Sequence, residues 1–199
     1  MNVFFWGFET GRISLLVIPT IFGFLPGIFA TRALHGRFDK KPTMIVSVLC
    51  STVLINLPVA LGLLGWIAWG EQALFWLIFV MTFLYAGAGG VAITTAGSMM
   101  ADVAQEHRFV TGRSLQGILF AAISFSGKAA SGFGHFFAGA GLDVISFPLK
   151  AAPSEVGAAA LSGLGVLFLV AGIGSFLGIL AIGAYRIDRS RWEETLAAT

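Results

Sequence analysis

Five long apolar runs, separated by short polar breaks, dominate this chain. They cover about Ile13–Leu34, Thr43–Trp69, Ala73–Asp102, Ser114–Phe147 and Leu161–Tyr185. Each reaches the ~20 apolar residues that a helix needs to cross the hydrocarbon of a bilayer. Backbone polar groups in lipid must be satisfied internally, so these runs are expected as helices. A transmembrane β-barrel would need short segments of alternating polarity instead. The expected fold is therefore an all-α integral membrane bundle, with residues 1–199 as one unit. The fourth run is longer than one crossing requires and should tilt or project beyond the membrane. Pro19, Pro26 and Pro58 lie inside runs and should kink them. Met1–Phe8 is apolar but too short to span, and it lacks the basic flank and cleavage site of a secretory signal. Its aromatic NVFFW, followed by GFETGR, reads as the interfacial end of a helix truncated at its start.

Composition agrees. The chain is 57% hydrophobic and 11% charged, where a soluble domain carries ~25% charged residues. The net charge of +2 forms no dense basic stripe, so nucleic acid is not an expected partner. Arg32, Arg37, Lys40, Lys41, Arg108, Arg113, Arg186, Arg189 and Arg191 fall on one side of the predicted spans. Only Arg12 and Lys150 fall on the other. The positive-inside rule puts the first set, including the tail 186–199, in the cytoplasm of a multi-pass protein of the cell's inner (plasma) membrane. The single cysteine, Cys50, can form neither an intrachain disulfide nor a metal site alone.

The fourth run carries the candidate chemistry. Lys128 sits in its middle, where an ammonium costs at least ~2.5–3.5 kcal/mol on insertion scales. On a helix, Gly117, Ala121, Ser124, Lys128, Ser131, Gly132, His135 and Gly139 share one face, while Phe133 and Phe137 lie opposite. Such a small and polar stripe should face a cavity or another helix. All ten acids lie in loops, tails or span ends. Asp143, fifteen residues along the same run, is ~22 Å from Lys128. Lys128 is then neutral, or faces water, or pairs with protein outside this sequence. Of these, the missing partner is favoured. His135 is either a hydrogen-bonded packing group or a proton relay. Thr94, Thr95 and Ser98 would bond to backbone carbonyls or to a substrate. Asp102 with Arg108 or Arg113 could form gate pairs on the cytoplasmic side. No nucleotide-binding motif, metal-ligand cluster or catalytic triad is present, so neither enzymatic activity nor a cofactor is expected.

Ser98, Met99, Ala101, Asp102, Thr111, Gly112, Arg113, Gly117, Phe120, Phe125, Lys128, Gly132, Gly139 and Leu142 together resemble the glycoside–pentoside–hexuronide:cation symporters. These form the melibiose-permease-like branch of the major facilitator superfamily. Gly36–Lys41 is similar to that superfamily's cytoplasmic loop signature, and Tyr185–Asp188 with Trp192–Leu196 resembles the family's C-terminal end. Gln105, Ser114, Gln116 and Ile93 depart from the usual pattern, which has acids, a second base and an aromatic at or near these positions. The resemblance covers the C-terminal half of such a transporter: five helices and the end of a sixth.

The resemblance implies cation-coupled symport of a sugar or glycoside by alternating access, between this bundle and an N-terminal six-helix half. It implies that Lys128, Ser124 and His135 lie near substrate and cation. Asp102, Arg108, Thr111, Gly112 and Arg113 would form the cytoplasmic gate. The coupling ion, sodium or a proton, would be bound mainly by the N-terminal half. Lipid, that half and a small sugar or glycoside are the expected partners. The alternative is a non-transporting membrane subunit or remnant that only packs against a partner. A homodimer of half-size transporters would need a midplane acid on each copy, and none is available.

Overall fold

The computed structural model describes residues 1–67, 70–148 and 150–183. The expected tail 186–199 lies outside them. The described residues form helices and no strands: α1 (Thr10–Leu15), α2 (Val17–Arg37), α3 (Lys40–Leu63), α4 (Glu71–Thr111), α5 (Gln116–Val144) and α6 (Ala158–Gly183), with a 3-10 turn at Pro153–Glu155. Four helical stretches are long and apolar enough to cross a membrane: Thr10–Arg37, Lys40–Leu63, Glu71–Thr111 and Ala158–Gly183. Helix α5 has the length, at 29 residues, but is not one of those four.

Several boundaries move, each for a local reason. The first run is broken at Leu16, between α1 and α2. Pro19 has no N–H to offer and its ring would strike the carbonyl four residues back, at Leu15, so α1 stops there. Pro26 and Pro58 lie within α2 and α3, which run through them. The second run, expected to reach Trp69, ends as a helix at Leu63. Gly65 at φ +69 and bonds from Gly65 N to Gly62 O and from Trp66 N to Leu61 O, each 3.1 Å, close it. The third run does not stop at Asp102. Residues 103–111 contain neither Gly nor Pro, so the segment expected as a loop continues α4 to 41 residues. That is about 61 Å of helix, twice a hydrocarbon core. Met1–Phe8 forms hydrogen-bonded turns, with Met1 O accepting from Phe5 N at 2.8 Å and Asn2 O accepting from Phe8 N at 3.0 Å.

Helix α4 is the centre of the bundle: α2 and α3 both pack along it, and α6 packs on α3. The α2–α4 contact is backbone on backbone. A Cβ on Gly23 or Gly27 would run into the carbonyl oxygens of Phe83 and Gly87, and one on Gly90 would stand 2.6 Å from that of Phe24. At the end of the bundle away from Lys40, Phe8, Leu16, Phe75 and Ile78 form a buried cluster. Arg12 caps it, 5.7 Å above the Phe75 ring and 3.4 Å from the Glu71 carboxylate. Helix α5 stands apart. It touches α4 and α6 only lightly and has no buried residue.

Enlarging Gly27 should therefore do far more damage than enlarging an open glycine on the same pair of helices. Gly27→Val is expected to cost about 2 kcal/mol or more, as overpacking against a rigid backbone does, and to lower the thermal midpoint in detergent. Gly89→Ala, where a Cβ meets nothing within 4 Å, should leave that midpoint unchanged or slightly raised.

Candidate functional site

Two groups of polar side chains stand out, and they lie in different parts of the molecule. The first is the stripe on α5. Ser124, Lys128 and His135 all fall on exposed positions of that helix. The Ser124 hydroxyl donates to the Phe120 carbonyl oxygen at 3.0 Å, which satisfies it within its own helix. Among the described residues Lys128 has no ion pair; the two present are Arg12–Glu71 and Lys40–Asp102. The stripe is uncovered, as are Phe125, Phe133 and Phe137 elsewhere on the helix, and no described carboxylate pairs with its ammonium.

The second group gathers where the α2–α3 turn meets α4. Helix α3 starts at Lys40 because Asp39, extended at φ −66 and ψ 157, halts the chain after α2. The Asp39 carbonyl oxygen then accepts from both the Thr43 amide and its hydroxyl, at 3.2 and 2.9 Å. This start aims Lys40 across to α4, where its Nζ donates to Asp102 Oδ1 at 2.8 Å and Oδ2 at 2.6 Å. The pair is about two-thirds covered, with side chains 33% and 26% exposed. One turn or two along the same seam, His35 Nε2 and Thr95 Oγ1 are hydrogen-bonded at 3.0 Å, and Thr95 is fully buried. Lys41, next to Lys40, reaches the other way and donates to the Gly183 carbonyl oxygen at 2.9 Å, at the end of α6. Three helices are tied together at one membrane face by two consecutive lysines.

The residues expected at the gate make separate contacts here. Asp102 pairs with Lys40 rather than with Arg108 or Arg113. The reason is the extension of α4: six residues of continuous helix put Arg108 about 240° around the axis from Asp102. Thr111, Gly112 and Arg113 form the end of that helix. Gly112 adopts φ +71, and its amide donates to Arg108 O at 2.8 Å. The Thr111 hydroxyl donates to His107 O at 2.8 Å and accepts from the Arg113 amide at 3.3 Å. These residues stop α4 and turn the chain toward α5, so their observed contacts are those of a cap. The Lys40–Asp102 and His35–Thr95 contacts escaped the sequence reading. The signal for the first was present, because Lys40 and Asp102 fall at the same predicted membrane boundary with opposite charge. Thr95 gave no signal beyond being a hydroxyl in an apolar run.

A cavity of about 250 Å³ lies between the N-terminal turns, α3, α4 and α6, lined among others by Trp6, Pro58, Ile78, Thr82 and Tyr85. It contains no residue of α5 and none of the second group.

An all-helical bundle with a tight glycine-packed pair and four helical stretches apolar enough to cross a bilayer has the make-up of an integral membrane protein. The chain matches the family model described as MFS/sugar transport protein over residues 2–189 and belongs to that family. Its members are transporters, not enzymes. No curated protein and no solved structure gives a match.

A double-mutant cycle on Lys40→Met and Asp102→Asn, read by denaturation in mixed detergent micelles, should return a coupling of about 1–2 kcal/mol. The same cycle on Arg113→Met and Asp102→Asn should be additive within ~0.5 kcal/mol. Gly112→Ala should cost about 1 kcal/mol, the penalty of a side chain in the left-handed cap.

Proposed function

We propose that this chain is the C-terminal bundle of a cation-coupled symporter for a sugar or glycoside. It works by alternating access against an N-terminal six-helix half, in the plasma membrane, with the Lys40–Asp102 face in the cytoplasm. The observation that carries the reading is α5, a membrane-length helix without a buried residue that carries Lys128 in its middle, with no ion pair to an acid among the described residues. A lysine in hydrocarbon requires a counter-charge or water. A facing bundle with carboxylates at mid-depth supplies both, because the interface between two rocking bundles is where a solvated midplane site forms.

On this reading Lys128 competes with the coupling ion for those carboxylates. When the ion is bound, the ammonium is released toward substrate; when it leaves, the ammonium takes its place. Ion and solute are thereby linked through one positive charge exchanged for another. Ser124, one turn from Lys128, offers a hydroxyl to a sugar once it gives up its bond to Phe120, and His135 lies two turns beyond on the same stripe. No cofactor takes part; sodium or a proton is the coupling ion, held mainly by the facing half.

The test is uptake. The chain is co-expressed with an N-terminal half of the same family, and vesicles are assayed with radiolabelled glycosides, with and without a sodium or proton gradient. Gradient-dependent uptake that disappears in Lys128→Ala is the expected result. Uptake that ignores Lys128→Ala would keep the transporter and remove this site. No uptake from a complex shown to be assembled would favour a subunit that only packs.

A further inference from the structure

The cavity of about 250 Å³ lies in the half of the bundle away from Lys40. It shares Ile78 with the buried cluster there, and Trp6, packed on the same cluster, forms part of its wall. Trp6 is itself held in place. Its ring stands edge to face with Phe5 at 4.6 Å, and a Cβ on Gly62 would lie 3.0 Å from it. The wall is therefore preformed. None of the side chains around the cavity is charged.

Several polar groups on this cavity have no use within the fold. Thr20, Thr31, Thr43, Thr94 and Thr111 each donate their hydroxyl to the carbonyl oxygen four residues back, which satisfies a helical threonine internally. Among the described residues, Thr82 on the cavity makes no such bond. Neither does the Tyr85 hydroxyl, one turn further along α4, nor the Asn2 amide. Helix α3 adds a backbone acceptor. Pro58 has no N–H, so the Leu54 carbonyl oxygen, four residues back, lacks its helical donor. Leu54 and Pro58 both border the cavity. Polar groups at membrane depth are costly without a partner, and here they meet around one space.

These features select a class of ligand. The volume falls just under the ~300–1,000 Å³ of sites for drug-sized molecules, which leaves room for one ring with a short substituent. An ion would be buried without a counter-charge. A free sugar carries hydroxyls on every side, and apolar walls such as Met81 and Phe168 would leave most of them unbonded. A hydrocarbon would leave the polar groups of α3 and α4 unanswered. A hydroxyl on an apolar ring answers them, because it can donate to a carbonyl and accept from Thr82 or Tyr85. We propose that this cavity is a second ligand site, separate from α5, for a small uncharged phenol-like alcohol. Bound there, the molecule joins the N-terminal turns to α3, α4 and α6.

The test is photolabelling of the full chain in nanodiscs, with a phenol that carries a diazirine para to its hydroxyl. Labelled residues are found by peptide mass spectrometry. Labelling should saturate and concentrate on Trp6, Met81 and Phe168. At equal concentration in the bilayer, 4-ethylphenol should compete at least tenfold more strongly than ethylbenzene, and 4-ethylbenzoate should not compete. Thr82→Val with Tyr85→Phe keeps the shape of the wall and removes both hydroxyls. That pair should raise the half-saturating concentration about tenfold. Met81→Trp, which fills the space, should abolish labelling, while the pair without hydroxyls keeps the test independent of whether a larger side chain is tolerated. Labelling that rises linearly with the phenol, or spreads over the exposed α6 residues Val170 and Leu177, is partition into lipid and would overturn the proposal. So would equal competition by ethylbenzene, or labelling indifferent to the loss of both hydroxyls, since either would make the cavity a plain apolar gap.

Discussion

The approach of α2 to α4 sets the geometry of everything else. In a bilayer, apolar side chains gain nothing by leaving lipid for one another, so helices are held by close packing and by bonds between polar groups. Here the packing is at its limit, with Gly23, Gly27 and Gly90 leaving no room for a Cβ against the facing carbonyls. Backbones this close gain dispersion along their length and weak Cα–H···O contacts. They also fix the rotation of α4, because the face carrying Gly87 and Gly90 is the one that α2 meets backbone to backbone. With that rotation fixed, Thr95 falls under α2 beside His35 and Asp102 falls under the start of α3, and the polar contacts at one membrane face follow from the glycines at mid-depth.

That hierarchy explains which parts of the molecule were legible beforehand. The helical, membrane-embedded class followed from the length of the apolar runs. The interruption at Pro19 and the stop at Gly65 were visible as residues, though not as boundaries. The extension of α4 was not, because the polar string 103–111 has the composition of a loop and the propensity of a helix, and once α4 is anchored nothing stops it before Gly112. Sequence alone could not tell Gly27, pressed on Gly87, from Gly89, which faces open space. Side-chain pairing was the least legible level. Asp102 had two arginines near it in sequence, Arg108 and Arg113, and the rotation of α4 selects the distant Lys40 instead.

The stripe on α5 is the converse case. Its face was read directly from a helical period, and the structure adds that the described bundle leaves that face uncovered. A glycine-rich, serine-rich helix with a lysine at its centre gains little from lipid and costs several kcal/mol if left there. Its composition is consistent with a helix selected for what it meets rather than for how it packs at home. The two polar groups divide accordingly: the Lys40–Asp102 end is joined within the bundle, and the Lys128 face is uncovered by the described residues.

The most direct measurement is a cysteine scan of α5 in native membranes on the Cys50→Ala background, probed with a membrane-impermeant maleimide while the partner half is present. If α5 lines an aqueous path, Gly117, Ala121, Ser124, Ser131 and His135 variants should label with helical periodicity and be protected by a transported glycoside, while Phe133 and Phe137 variants should not label. Uniform protection of all positions, or labelling without that periodicity, would contradict the account and make α5 a packing helix.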